Sequence, residues 1–452
     1  MAAVLALGRL GTNALASMAL ATLYANVTGY SLIVGMGAAI DTLCSQAYGE
    51  HMAGTGEKKE LGSPCGASYD QSVSHFQRHF RHLSRTIVIM YIMCIPVAVL
   101  WWFTEPLLLL AGQDDVIAEL SGRYTRLLIP SLFPFVISEC VKRFLMSQGI
   151  MAAQMLVIGV VAPINFFLQY VFVFTSWKLG LQGEGAPFAL TISHTLIAVA
   201  LVLYARFVEG GDAYAGLEYD QLFNTKKLWM VTELGIAGVL MTCSEWWAWE
   251  IVALMAGLLG PEFLAAQTIV LSASSWAYTM PLGFAIACTT RIGNALGAGS
   301  PYQAKLCAFV VLGLGLFLAV MNSTFLMLGR DSLGYLFSDD EVVIRIVSEI
   351  VPLAAAFQLA DVLGCICGGI LRGAGRPEIG AYLNLIGYYV LGIPIGIFLC
   401  FKLNWSLYGL WIGLTTALFV VSFIEIYMIY KLDWDREADN ARQRSMDNLA
   451  CD

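Results

Sequence analysis

Long apolar runs, broken only by Gly, Pro or charge, fall near residues 13–49, 86–110, 118–146, 150–176, 185–208, 227–256, 262–297, 303–328, 342–371, 376–401 and 405–430. A membrane strand needs only ~10 residues and alternates apolar with polar positions, whereas ~20 continuous apolar residues make a spanning helix. The pattern therefore predicts eleven transmembrane helices. Runs of 30 residues or more must tilt, or project beyond the hydrocarbon at one end. Ahead of them Met1 to Leu7 is a short apolar stub with no basic n-region or cleavage site, so no cleavable signal peptide is read there. Between the first two runs, residues 50–85 show no apolar period and are expected to be solvated and partly helical. Residues 433–452 mix both charge signs and are expected to be disordered.

Composition sharpens this picture. Charged residues are 13% of the 452, against ~25% in soluble domains, while apolar residues reach 58% and the mean hydropathy is +0.71. So little charge cannot cover a soluble surface, and a net charge of −8 excludes a nucleic-acid partner. Orientation follows from Lys and Arg. Eighteen of the 25, among them Lys58, Lys59, Lys142, Arg143, Lys226, Arg372 and Arg444, fall on one side, which is therefore cytoplasmic together with the 50–85 segment and the tail. Most of the eleven cysteines lie in apolar runs, where a thiol acts as a small hydrophobe. His75, His79 and His82 have helical spacing, but a solvated helix face suits them better than a metal site. No metal and no cofactor is expected.

The chain also repeats itself. Gly35, Asp41-Thr42 and Gln46-Ala47-Tyr48-Gly49 answer to Gly283, Thr289-Thr290 and Asn294-Ala295-Leu296-Gly297, at an offset of 248. Later, Phe144-Leu145 and Gly149 answer to Ile370-Leu371 and Gly375 at 226, a fall that an insertion at 50–85 would produce. Matched apolar halves with a shared interface mark a transporter. The second copy has a full helix before its Gly257-Leu258-Leu259-Gly260, while the first has seven residues before Gly8-Arg9-Leu10-Gly11. The expected architecture is all-α, with two six-helix lobes and the first helix truncated. The lobes are read as 1–208 and 227–432, joined by a cytoplasmic linker at 209–226 and followed by the 433–452 tail.

Candidate chemistry lies where charge enters the membrane, because an ionisable group there is costly unless it faces a cavity or a partner. Glu245 and Glu250 sit in Glu245-Trp246-Trp247-Ala248-Trp249-Glu250, beyond the middle of one span and ~140° apart around the helix. Carboxylates with Trp246 and Trp249 one turn away suit an organic cation, by charge and by π face. Asp361 lies well inside another span. These deep acids have no base nearby in sequence and are read as proton-coupling and substrate-binding groups. Glu139 is expected to pair with Lys142 and Arg143, and Glu425, near the headgroups, to be solvated. Asp41, Thr42 and Gln46 in the first copy, with Arg291 and Asn294 in the second, put polar atoms at cytoplasmic helix ends among small residues. They are read as lobe-packing or gate residues rather than substrate contacts.

Several stretches resemble one family. They are Ala39-Ile40-Asp41-Thr42-Leu43-Cys44-Ser45-Gln46-Ala47-Tyr48-Gly49, Arg143-Phe144-Leu145 with Gln148-Gly149, Glu245-Trp246-Trp247 with Glu250, Arg291 to Gly299, and Gly369 to Gly375. Together with Tyr388 to Pro394 they are similar to the eukaryotic type of multidrug and toxic compound extrusion (MATE) transporter. The resemblance implies twelve helices in two lobes and, by alternating access, export of small organic compounds in exchange for protons. It implies coupling and binding roles for Glu245, Glu250 and Asp361, while Ser272 stands where some animal members carry an acid. It further implies a non-enzymatic protein in the lipid bilayer of the plasma or vacuolar membrane, working as a monomer. A lipid-linked precursor flippase of related architecture, or a transport-deficient truncated form, is the alternative. A flippase would favour a basic cavity, and the deep charges here are acidic.

Overall fold

A computed structural model of the protein describes residues 12–60, 67–174, 185–208, 225–338 and 340–447. The described residues form helices joined by short turns, with no strand among them. Nine of these helices are long and apolar enough to cross a membrane. Two more, α6 (Asp115–Ser147) and α9 (Thr225–Leu259), are as long, and with them the eleven expected spans are all helical among the described residues. The residues preceding Thr12, on which the truncated first helix was read, lie outside the described set, as does most of the 209–226 linker.

The chain divides into two compact units. One comprises residues 1–40 and 64–235, the other 41–63 and 236–452. The first unit begins with α1 (Thr12–Ala25), a π-helical stretch at Asn26–Tyr30 and α2 (Ser31–Met36). Then follow α4 (Ala67–Trp102), α5 (Thr104–Leu110), α6, α7 (Ala152–Phe174) and α8 (Gly185–Phe207). α3 (Ala38–Glu60) starts in this unit and ends in the other. Tyr30 is held at the centre of the unit, edge-on to Trp101 and Phe135 with ring centroids 5.5 and 4.7 Å away. Its hydroxyl shares a 2.9 Å hydrogen bond with Ser131. Glu139 is buried and pairs with Lys142 and Arg143, as expected from their spacing. Arg143 also donates to the Val34 carbonyl at 3.0 Å, so the cluster ties α6 to α2.

The second unit contains α10 (Pro261–Gly297), α11 (Pro301–Leu328), α12 (Glu341–Ala374), α13 (Pro377–Leu385), α14 (Ile393–Ile397), α15 (Ser406–Lys431) and α16 (Trp434–Asp447). π-helical turns at Ile386–Gly392 and Phe398–Lys402 flank α14. α12 is central, packing against α10, α11 and α15. Its start is capped by Asp340, whose carboxylate accepts from Val342 N at 2.8 Å, and it ends at Gly375 in the left-handed conformation that glycine adopts freely. Gly369 and Gly373, one turn apart, bring its backbone onto α10. A Cβ there would lie 2.6 Å from the Ala285 carbonyl oxygen and 2.7 Å from that of Thr289. Such a small-xxx-small face lets helices approach in lipid, where no hydrophobic force drives them together.

One expectation is corrected, that of the tail. Residues 50–85 are partly helical as expected, since α3 runs on to Glu60 and α4 begins at Ala67. A helix nucleated in the membrane propagates cheaply into water. The side chains of His75 and His79 lie outside the described residues. The tail is helical over Trp434–Asp447 rather than disordered there: Trp434, Ala438 and Ala441 of α16 are buried in a core shared with α10, α11 and α12. Arg376 anchors it through Glu437, at 2.8 and 3.0 Å. The polar face of this short helix hides the apolar one in any count of composition.

Candidate functional site

Five helical elements of the second unit bring polar groups together in its interior. α9 contributes Glu245, and α12 contributes Asp361 and Arg372. Tyr278 comes from α10, Tyr388 from the π-helical turn and Glu425 from α15. Asp361, Gly364, Gly368 and Arg372 recur at three- and four-residue spacing, so one stripe of α12 runs from an acid, past two glycines, to a base. Met241, one turn before Glu245, meets that stripe: its sulfur lies 4.0 Å from Arg372 Nη1, and its carbonyl accepts from Asn384 Nδ2 at 3.3 Å. Glu245 lies within electrostatic range of Arg372, Asp361 and Glu425. Asp361 itself is 7% exposed.

Two of the three expected acids, Glu245 and Asp361, thus share one neighbourhood although 116 positions separate them in sequence. Glu250, turned ~140° from Glu245, is half-buried further along α9. No base lies near these acids in sequence, but Arg372, at the end of α12, acts electrostatically on Glu245. Glu425, expected to be solvated, is 1% exposed. The i, i+3, i+7, i+11 stripe on α12 was the one sequence signal that could have exposed Arg372. Nothing local to α15 marks Glu425 as buried.

The tryptophans part company. Trp249 lies 5.0 Å from Phe357 and 5.6 Å from Trp411, ring centroid to ring centroid, and Trp411 in turn donates to Gln267 Oε1 at 2.8 Å. Its faces are occupied by a packed aromatic core. Trp246 is 37% exposed and keeps an indole surface available.

Around the second half of α3 another polar group gathers. Thr42 Oγ1 donates to the Arg372 carbonyl at 2.7 Å, and Gln46 Nε2 reaches the Gly373 carbonyl at 3.5 Å. Arg444 of α16 donates to Gln46 Oε1 at 3.2 Å and to the Gly375 carbonyl at 3.1 Å. Gly49, Gly293 and Gly297 close the same junction, for a Cβ on any of them would overlap Asn294, Ser45 or Gln46. Asp41 and Asn294 are half-buried there, while Arg291 is exposed on α10. The end of α3 is therefore part of the second unit, held by α10, α12 and α16.

An all-helical bundle of membrane-spanning helices, with acids and a base inside its second unit, is the architecture of a transporter. The chain belongs to the MatE family, whose model matches residues 1–54, 72–171 and 238–398. It is 35% identical over 439 residues to multidrug and toxin extrusion protein 1 of Danio rerio, a match covering 97% of this chain and 70% of the relative. With protein DETOXIFICATION 17 of Arabidopsis thaliana it shares 31% over 445 residues, covering 98% and 87%. The crystal structure of the eukaryotic MATE transporter AtDTX14 superposes with a TM-score of 0.86 at 30% identity, covering 98% of this chain and 93% of that one. The chain is a eukaryotic-type MATE transporter and an integral, multi-pass membrane protein.

Proposed function

We propose that this protein exports small organic, cationic or drug-like compounds in exchange for protons by alternating access, with Glu245, Glu250 and Asp361 as the coupling and binding acids. The observation that carries the reading is the meeting of Glu245 and Asp361, from two helices, inside an apolar bundle. Two carboxyl groups in a low-dielectric site hold one positive charge far more readily than they hold two bare negative charges. A proton and an organic cation therefore compete for the same place, and occupancy by one expels the other. Trp246 offers its indole to the body of a flat or cationic substrate.

The halves that move are the expected lobes, 1–208 and 227–432, with 209–226 as the linker. Asp41, Thr42, Gln46, Arg291 and Asn294 belong to a cytoplasmic gate that parts when the site opens inward. In this reading the hydrogen bonds of Thr42 and Gln46 to the end of α12 are the closed state of that gate. One chain suffices, and the coupling ion is the proton.

The test is efflux of a fluorescent organic cation from sealed proteoliposomes under an imposed pH gradient. Glu245→Gln and Asp361→Asn are expected to abolish gradient-driven movement while leaving the protein folded. Wild-type efflux driven by a sodium gradient at equal pH on both sides would overturn proton coupling.

A further inference from the structure

One buried acid has no place in the mechanism above. Glu425 sits on α15, six residues before its cytoplasmic end at Lys431, or ~9 Å along the helix. It is 1% exposed, and its Oε2 has no hydrogen-bond partner. An uncompensated carboxylate in such a place costs several kcal/mol, and a structural acid would have its lone pairs filled. Glu425 instead looks onto two glycines. A Cβ at Gly364 of α12 would lie 4.0 Å from its Oε2, and one at Gly380 of α13 would lie 3.7 Å from its Oε1. Those are van der Waals distances, so both carboxyl oxygens lie against the glycine faces of α12 and α13, beside Ser422 and Met241, and no polar side chain at Gly364 or Gly380 partners them. Gly364 is one turn beyond Asp361 and two turns before Arg372, so Glu425 stands level with the gap between acid and base. The titratable and charged groups within electrostatic range of it are Arg372 and Cys367 from α12, Glu245 from α9 and Tyr388 from the π-helical turn.

We propose that Glu425 is a further proton-carrying residue of this transporter, receiving protons from the Glu245–Asp361 site and passing them toward the cytoplasmic ends of α12 and α15. Arg372 sets the direction. As a fixed cation beyond Glu425 it offers the carboxylate a counter-charge after the proton has left. The inference rests on the proton-coupled reading of the site, which its test is arranged to separate.

Two measurements on the full-length protein in lipid decide it. Difference infrared spectra between acidic and alkaline buffer report the protonation of buried carboxyls whether or not transport occurs. A carboxyl band lost in Glu425→Gln, and distinct from the band lost in Asp361→Asn, is expected. In proteoliposomes, Glu425→Gln should slow gradient-driven efflux at least tenfold, and Glu425→Asp should restore it with a displaced pH profile. Identical spectra for wild type and Glu425→Gln would overturn the proposal. So would an unchanged pH profile in both variants, leaving Glu425 as packing. Should Glu425→Gln fail to fold, a shifted rather than lost band in Glu425→Asp makes the same assignment, and an unshifted one refutes it. If wild-type efflux ignored the pH gradient, proton coupling would fall, while the infrared comparison would still say whether Glu425 exchanges a proton.

Discussion

Gly297→Ala should loosen the second half of α3. The added methyl would overlap the Gln46 carbonyl oxygen, well inside the 3.0 Å that real Cβ atoms keep. The opposing group is backbone, so no rotamer can move aside. The two helices must part by about 1 Å, and overpacking of this kind costs about 1–3 kcal/mol. The same separation stretches the bonds of Thr42 to the Arg372 carbonyl, 2.7 Å, and of Arg444 to Gln46, 3.2 Å, which places the effect toward the upper end. At that cost the equilibrium between the packed and parted arrangements moves about 5–150-fold. Cys44 is a natural reporter, being fully buried beside Ser45 on α3. Maleimide labelling of the purified protein, mapped by mass spectrometry, should find Cys44 protected in wild type and labelled at least several-fold faster in Gly297→Ala. The half-life at elevated temperature should fall in parallel. Wild-type protection of Cys44 together with a wild-type half-life would refute the claim that close backbone approach holds this junction.

Three further outcomes are expected. Trp249→Leu should destabilise the protein by about 3 kcal/mol, as loss of a core aromatic does, and Trp246→Leu should not. In transport assays Trp246→Leu should weaken flat cations by about 2 kcal/mol, roughly thirtyfold in affinity, with less effect on non-aromatic substrates. Arg376→Ala should free α16 by stranding Glu437, which is 3% exposed against 32% for its partner. Because Arg376 is partly solvated and Asn440 also serves Glu437 at 3.0 Å, about 2 kcal/mol is expected rather than the 3–5 of a fully buried pair. Limited proteolysis should then cut within 434–447 before it cuts elsewhere. Finally, epitope tags inserted in 50–85 or after residue 433 should be protected from outside in sealed cells, and accessibility there would reverse the assigned orientation.

The sequence by itself determined what depends on local composition. Apolar length and continuity mark a spanning helix wherever it packs, so the eleven spans were readable from 13–49 to 405–430. The placing of Lys and Arg could likewise be read as orientation without knowledge of contacts. Short motifs such as Ala39 to Gly49 and Arg291 to Gly299 carried the family, because close backbone crossing permits few residue types. Tertiary structure decided everything that depends on which face of a helix is covered. Glu245 and Trp246 are neighbours in the chain, yet the meeting of Glu245 with Asp361 and Arg372 depends on how α9 and α12 cross. Trp246 and Trp249 look alike in sequence, but Phe357 and Trp411 occupy one of them and leave the other open. Glu425 lies at a depth where a carboxylate ordinarily reaches water, and only the packing of α12 and α13 around it excludes water. α16 gives no compositional sign of order, because its stability comes from partners, Arg376 and the Gly375 turn, that are remote in sequence. Burial of a polar group is a property of its neighbours, and a one-dimensional pattern does not contain them.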